Sequence, residues 1–286
     1  MAIKTVGVLG CGLMGGGIAQ ISAAAGFKTI VLEVNDQFLQ KGLGRIDKFL
    51  SDGVARGKVV AEDRTRTLGN LQGTTSYADL KDCDLVVEAI IESVEAKKSA
   101  YAQVEAHAGP HCIIASNTSS LCVTELAAST KRPDKVGGLH FFNPVPLMKL
   151  VEVIRALTTS EETYQALFDF AKAVGKDPIT APDRGGFIVN RLLVPYLLDA
   201  VRCLEEGLGS VEDIDKGMKL GCGYPMGPFA LLDFVGLDTT YFIANIMFDE
   251  FRETRFAPPP LLKRMVLAGH LGKKSGRGFY EYSPKA

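Results

Sequence analysis

The chain lacks net charge, a cysteine framework and a long unbroken apolar run, and each absence removes a class of function. Lys+Arg 32 against Asp+Glu 33 leave a formal net charge of −1 over 286 residues. Nucleic-acid binding by phosphate neutralisation is therefore not expected. The six cysteines (11, 83, 112, 122, 203 and 222) include no CxxC pair and read as reduced thiols of a cytoplasmic protein, not as a disulfide scaffold. Residues 5–27 carry no charged side chain, which by length alone would suit a membrane span or an exported leader. Seven glycines interrupt that stretch, and Gly10-Cys11-Gly12 divides it into a strand and a helix, so neither membrane insertion nor export is expected. A metal site is not expected either. His107 and His111 have helical spacing, but Gly109-Pro110 breaks any helix between them, and no other acid or cysteine arrangement completes a zinc set.

What is present is an alternation. With 47% apolar residues, the chain has enough material for a sizeable core and for two domains. Short aliphatic runs at Thr5–Leu9, Thr29–Glu33, Asn70–Gly73, Leu85–Glu88, Ile113–Ser116, Lys135–Leu139 and Lys149–Ile154 read as strands. Amphipathic segments at Asp36–Arg56 and Val94–His107 read as helices, and Thr159 with Glu162 in capping-box spacing predicts another over Ser160–Val174. Past the junction Ala181-Pro182-Asp183-Arg184-Gly185-Gly186 the strand-like runs stop. Helices are expected at Val189–Gly207, Val211–Leu220, Pro228–Val235, Leu237–Phe251 and Pro259–Ala268. The fold class is α/β: a doubly wound, mostly parallel sheet over residues 1–183, followed by an all-α domain over 184–286.

Gly10-Cys11-Gly12-Leu13-Met14-Gly15 follows an aliphatic strand and opens an alanine-rich helix. That is the Rossmann-type dinucleotide fingerprint, in which Gly10 makes the turn, Gly12 admits a pyrophosphate and Gly15 packs helix on strand. The helix N-terminus, at Leu13 and Met14, offers amides to phosphate. Glu33 lies eighteen residues beyond Gly15, at the end of the next strand. An acid there suits the adenine-ribose hydroxyls and opposes a 2′-phosphate, so NAD is expected over NADP. The bland reading of Glu33 is a solvated strand end, and no arginine lies in the next few positions.

His140 opens the run His140-Phe141-Phe142-Asn143-Pro144, and twelve residues on Glu152 interrupts the aliphatics Leu150-Val151 and Val153-Ile154. A carboxylate in such a strand is costly to bury unless paired, and a histidine with a carboxylate on one ring nitrogen is a general base near neutral pH. Ser116-Asn117-Thr118-Ser119-Ser120 follows a strand and precedes a helix expected over Leu121–Leu126, where it can line a ligand crevice or cap the helix. Asn190, polar among aliphatics at the domain junction, is a further site candidate. His270 falls in a loop and reads as solvated.

Taken in order, GCGLMG, VVEAIIE, SNTSSL, HFFNPVP, LVEVI, GFIVNR and the tail GKKSGRGFYEY resemble the L-3-hydroxyacyl-CoA dehydrogenase family over essentially the whole chain. The length is similar to that of its short bacterial branch, the 3-hydroxybutyryl-CoA dehydrogenases. The resemblance implies NAD-linked interconversion of (S)-3-hydroxyacyl-CoA and 3-oxoacyl-CoA, in fatty-acid and butanoate metabolism. His140 would take the 3-hydroxyl proton and Glu152 would orient it and stabilise the imidazolium. Ser119 and Asn190 would contact the acyl group, with Asn143 beside the nicotinamide. Glu92, Lys97, Asn117 and Ser119 would line the NAD site and Lys274 would close over it. The partner would be an acyl-CoA thioester, and the helical domain would form a homodimer. Three departures stand out. Cys11 replaces a glycine or alanine, Glu33 an aspartate, and Phe49 and Arg56 stand where the family often carries a serine and a lysine for the CoA nucleotide, leaving Arg56 as the basic contact. A related dehydrogenase of free hydroxy or sugar acids, and a non-catalytic NAD-binding protein, are the alternatives.

Overall fold

The computed structural model describes residues 3–282, which form two compact units that join between Arg184 and Gly185. The first holds β1 (Thr5–Leu9), α1 (Leu13–Ala24), β2 (Lys28–Leu32), α2 (Asp36–Ala55), α3 (Ala61–Gly69), β3 (Leu71–Thr74), β4 (Leu85–Glu88), α4 (Val94–His107), β5 (Ile113–Ser116), α5 (Val123–Ala128), β6 (Val136–Phe141), β7 (Leu150–Arg155), α6 (Glu161–Ala173) and β8 (Asp177–Pro182). The second holds α7 (Val189–Glu205), α8 (Val211–Cys222), α9 (Pro228–Val235), α10 (Leu237–Phe251) and α11 (Pro260–Leu267).

One sheet runs in the order β3-β2-β1-β4-β5-β6-β7-β8. Every pair is parallel except β6 with β7. The chain turns outward in both directions from β1 and β4, so the switch point of this doubly wound sheet lies beyond the carboxyl ends of those two strands. β4 and β5 are buried along their whole length, which explains why they read as unbroken aliphatic runs and not as alternating ones. Each aliphatic side chain so buried contributes about 1.5–3 kcal/mol.

Three local expectations need correction. β8 falls where an irregular junction is expected. It is an edge strand, and its two prolines, Pro178 and Pro182, are tolerated because an edge has one side with no ladder to serve. α3 has a polar sequence with only Thr67 buried, so no apolar period announces it. The cap of α6 is Ser160, whose side chain accepts from Thr163 N–H. Thr159 instead accepts from Ala156 N–H at 2.9 Å and donates to Val136 O at 2.6 Å, tying the α6 approach to β6.

In the second unit, Val194, Leu197, Phe229, Leu237 and Met247 belong to a separate apolar core. Two buried acids organise its C-terminal end. Asp215 accepts from Phe229 N–H (2.7 Å) and Ala230 N–H (3.0 Å), capping α9, and from the Tyr280 hydroxyl (2.9 Å). Asp233 accepts from Phe279 and Tyr280 N–H (both 2.9 Å) and from the Tyr282 hydroxyl. A Cβ on Gly278 would lie 1.9 Å from Asp233 Oδ1, so the glycine in the tail run RGFYEY is what lets the tail dock there.

Candidate active site

Antiparallel pairing of β6 and β7 sets His140 directly opposite Glu152. Directly opposed residues on one sheet face are neighbours, and here they bond: His140 Nδ1 lies 2.6 Å from Glu152 Oε2. Glu152 is fully buried and His140 is 6% exposed. The acid that looks misplaced among aliphatics is thus the cross-strand partner of a buried imidazole, which meets the cost of burying its charge. With the Nδ1 proton donated to the carboxylate, the imidazole lone pair sits on Nε2, the nitrogen that then acts as the base.

The turn after His140 is braced from below. Lys176, mostly buried and with its ammonium pKa lowered by that burial, donates to Val145 O at 2.5 Å and Met148 O at 2.7 Å. Phe142 packs on the His140 ring with centroids 4.5 Å apart. Asn143 is exposed at the start of this turn. The Asn117 side-chain oxygen accepts from Phe141 N–H at 3.0 Å, so Asn117 joins the end of β5 to the strand bearing His140.

The fingerprint loop crosses the switch point. Gly10 has φ +88°, and a Cβ there would meet Ala89 O at 2.8 Å. A Cβ on Gly15 would come within 1.9 Å of Gly10 O, so neither position admits a side chain. Gly12 is different: a Cβ there would touch nothing within 4 Å. That open space lies at the N-terminus of α1, where no side chain caps the helix. The loop therefore fits a dinucleotide pyrophosphate on Gly12 and the Leu13 and Met14 amides. Cys11 is fully buried with its thiol pKa pushed up to about 11, first by burial and then by Glu33. It turns toward Gly42 of α2, where a Cβ would sit 2.3 Å from its sulfur, so the bulkier residue leaves the phosphate side clear. Glu33 accepts from Cys11 N–H at 2.7 Å and Val34 N–H at 3.0 Å.

Glu92 gathers the Ser116–Ser120 loop. Its Oε1 accepts from the Thr118 hydroxyl, Ser119 N–H (3.2 Å) and the Ser120 hydroxyl (3.3 Å). Lys97, 1% exposed, bridges Glu92 Oε2 at 3.1 Å and the fully buried Glu88 at 2.6 Å. Glu88 also accepts from the Ser116 hydroxyl at 2.8 Å. The loop does not cap the following helix. α5 starts two residues later than expected, and Asp183 caps it by accepting from Val123 and Thr124 N–H at 2.9 and 2.6 Å. Lys97 is thus enclosed by carboxylates, and Glu92 and Ser119 are the more exposed members of the group. Glu88 and Asp183 were not singled out from the sequence; the only signal for Glu88 is an acid ending an aliphatic strand.

A cavity of about 660 Å³ is lined by Arg56, Phe49, Lys58, Arg66 and Leu147, with Asp52 and Asp63 among its acids. In the second unit, Asn190 is half-buried in the first turn of α7, just after Gly186 (φ +78°) and Phe187 (φ +48°). A buried phenylalanine at positive φ is strained, and such strain gathers at functional sites. Lys274 pairs with Asp238 at 2.6 Å. Among the described residues no group of three or more His, Cys, Asp or Glu could hold a metal ion, and no single helix is long and apolar enough to cross a membrane.

Residues 5–184 match the NAD-binding domain of 3-hydroxyacyl-CoA dehydrogenase, and residues 186–282 match the C-terminal domain of the same family. A 3-hydroxybutyryl-CoA dehydrogenase of Mycobacterium tuberculosis is 50% identical over 283 residues, 98% of this chain and 99% of the relative. Among solved structures, M. tuberculosis FadB2 superposes with a TM-score of 0.97 at 49% identity, covering 99% of this chain and all of that one. The (S)-3-hydroxybutyryl-CoA dehydrogenase PaaH1 of Ralstonia eutropha gives 0.96 at 44% identity, covering 99% and 100%.

Proposed function

The chain belongs to the 3-hydroxyacyl-CoA dehydrogenase family, and from that premise we propose how its residues divide the work of an NAD-dependent oxidoreductase. The reaction interconverts (S)-3-hydroxyacyl-CoA, with 3-hydroxybutanoyl-CoA as the preferred length, and the 3-oxoacyl-CoA. The observation that carries this reading is the buried 2.6 Å contact between His140 Nδ1 and Glu152. NAD, when bound, supplies the hydride acceptor. In the oxidative direction His140 Nε2 takes the proton from the 3-hydroxyl. The resulting imidazolium is held by the Glu152 carboxylate, so charge that forms during the reaction meets an opposite charge already in place. In the reductive direction the same nitrogen returns the proton.

Ser119 would contact the acyl group and Asn143 would face the nicotinamide; Asn190 of the second unit is assigned to the acyl group by the family resemblance alone. Glu92 and Lys97 act together, with Glu92 facing the cofactor and the buried Lys97 fixing it. Glu33 would accept from the adenine-ribose hydroxyls; Lys274, paired with Asp238 within the second unit, is assigned to the cofactor by the family resemblance alone. The cavity beside Arg56 takes the CoA nucleotide, where Arg56, Lys58 and Arg66 outnumber Asp52 and Asp63. The protein works in the cytoplasm as a homodimer through its helical domain; sedimentation at the 30.8 kDa of a single chain would count against the dimer.

Initial rates with NADH test the substrate class. Acetoacetyl-CoA is expected to turn over with a KM at least tenfold below that of acetoacetyl-pantetheine, which lacks the nucleotide, while free acetoacetate gives no measurable rate. Equal rates with free acetoacetate would assign the chain to hydroxy-acid oxidation, and no NADH oxidation with any 3-oxoacyl-CoA would make it a non-catalytic NAD-binding protein.

A further inference from the structure

No arginine follows Glu33 closely in sequence, yet the fold brings one to the same place. Arg45, twelve residues on in α2, donates from Nη2 to Cys11 O at 2.5 Å. Glu33 holds the N–H of that same residue at 2.7 Å. An acid and a guanidinium therefore grip Cys11 from its two backbone ends, and standard backbone dimensions put their charges within about 9 Å of each other. The approach has a local cause. Gly42 packs directly against Cys11, and Arg45 is three residues further along α2, on the same face. Burial raises the Cys11 thiol pKa most, and after it Glu33 raises and Arg45 lowers it, consistent with both charges lying close by.

Arg45 is exposed, and Cys11 O is its one hydrogen-bond acceptor among the described residues. Most of its five N–H donors, arranged in a fork that suits phosphate oxygens, are therefore unspent. The first turn of α2 carries Asp36 and no cation, so Arg45 is the basic group that the structure brings against the fingerprint loop.

We propose that Arg45 forms a latent site for the 2′-phosphate of NADP(H), masked by Glu33, and that the balance between these two residues sets the cofactor preference of the enzyme. The proposal rests on the reading that Glu33 binds the adenine ribose. In the native chain the Glu33 carboxylate repels the 2′-phosphate and prevails. With that charge removed, Arg45 is the group left to pair with the phosphate.

The test is the preference for NADPH over NADH, read both as the ratio of binding affinities (1/Kd) from fluorescence titration without substrate and as the ratio of kcat/KM with acetoacetyl-CoA, in the native chain, Glu33→Ser, Arg45→Gln and the double variant. Glu33→Ser should raise the KM for NADH about tenfold and the ratio at least tenfold. Adding Arg45→Gln should lower that raised ratio at least fivefold. A ratio as high in the double variant as in Glu33→Ser alone overturns the proposal and leaves the ribose reading standing. An unchanged NADH KM and ratio in Glu33→Ser overturns the ribose reading, and the proposal with it. If Glu33→Ser does not fold, the native chain and Arg45→Gln decide the matter: the residual NADPH activity must fall relative to NADH, and an unchanged ratio contradicts the role of Arg45.

Discussion

Glu152 shows how far one residue's surroundings can change its meaning. In a list of side chains it is an acid in an aliphatic strand; in the sheet it is the cross-strand partner of His140, 2.6 Å from Nδ1. The carboxylate meets the positive charge that the imidazole gains as it takes the proton. Glu152→Gln is therefore expected to lower kcat at least tenfold with the Kd for NADH within about twofold of native. A kcat near native while only thermal stability falls would make Glu152 a structural residue. Cys11 carries the opposite lesson. It looks like an intrusion into a glycine loop, and Gly42 of α2 supplies the missing space.

At the scale of elements, what was legible in the sequence depended on whether burial imposed a pattern. Strands such as β4 and β5 were readable because full burial makes them nearly continuous aliphatic runs, and the helices of the second unit because their apolar faces repeat with a helical period. α3 was not readable, since it buries little more than Thr67. β8 was hidden by Pro178 and Pro182, which argue against a strand until the edge position is known. The site divided along the same line. His140 with Glu152, and the fingerprint glycines with Glu33, are separated by short, regular intervals and could be paired on paper. Glu88, Asp183 and Arg45 act through register and helix packing across long intervals, for which a linear reading has no period to detect. The Thr159 cap failed for a related reason: two adjacent hydroxyl residues satisfy the same local rule, and the contact of Thr159 with β6 decides between them.

For the whole molecule, the buried thiols set an alkaline limit. Burial pushes Cys11 up to about 11 and Cys83 and Cys112 to about 12, from 9.0. A thiol with a folded value above its unfolded one holds its proton more tightly in the fold. Its contribution to stability is complete below pH 9 and is lost as the pH rises through the folded value. The melting temperature is therefore expected to hold steady as pH approaches 9 and to fall from there to 12, with a shallower fall when Cys11, Cys83 and Cys112 are all alanine, relative to that variant's own neutral value. The same alkaline slope in the triple variant would assign the loss to other groups, such as Tyr280 and Tyr282, whose phenols burial also raises.

The central claim, that His140 moves the proton in a hydride-transfer reaction, is tested most directly by kcat of His140→Gln with NADH and acetoacetyl-CoA, alongside NADH binding by fluorescence. General-base catalysis of this kind accounts for about 10²–10⁴-fold in rate. The account predicts a fall in kcat of that size with the Kd for NADH within about twofold of native. Turnover within about threefold of native, with NADH still bound, would contradict it.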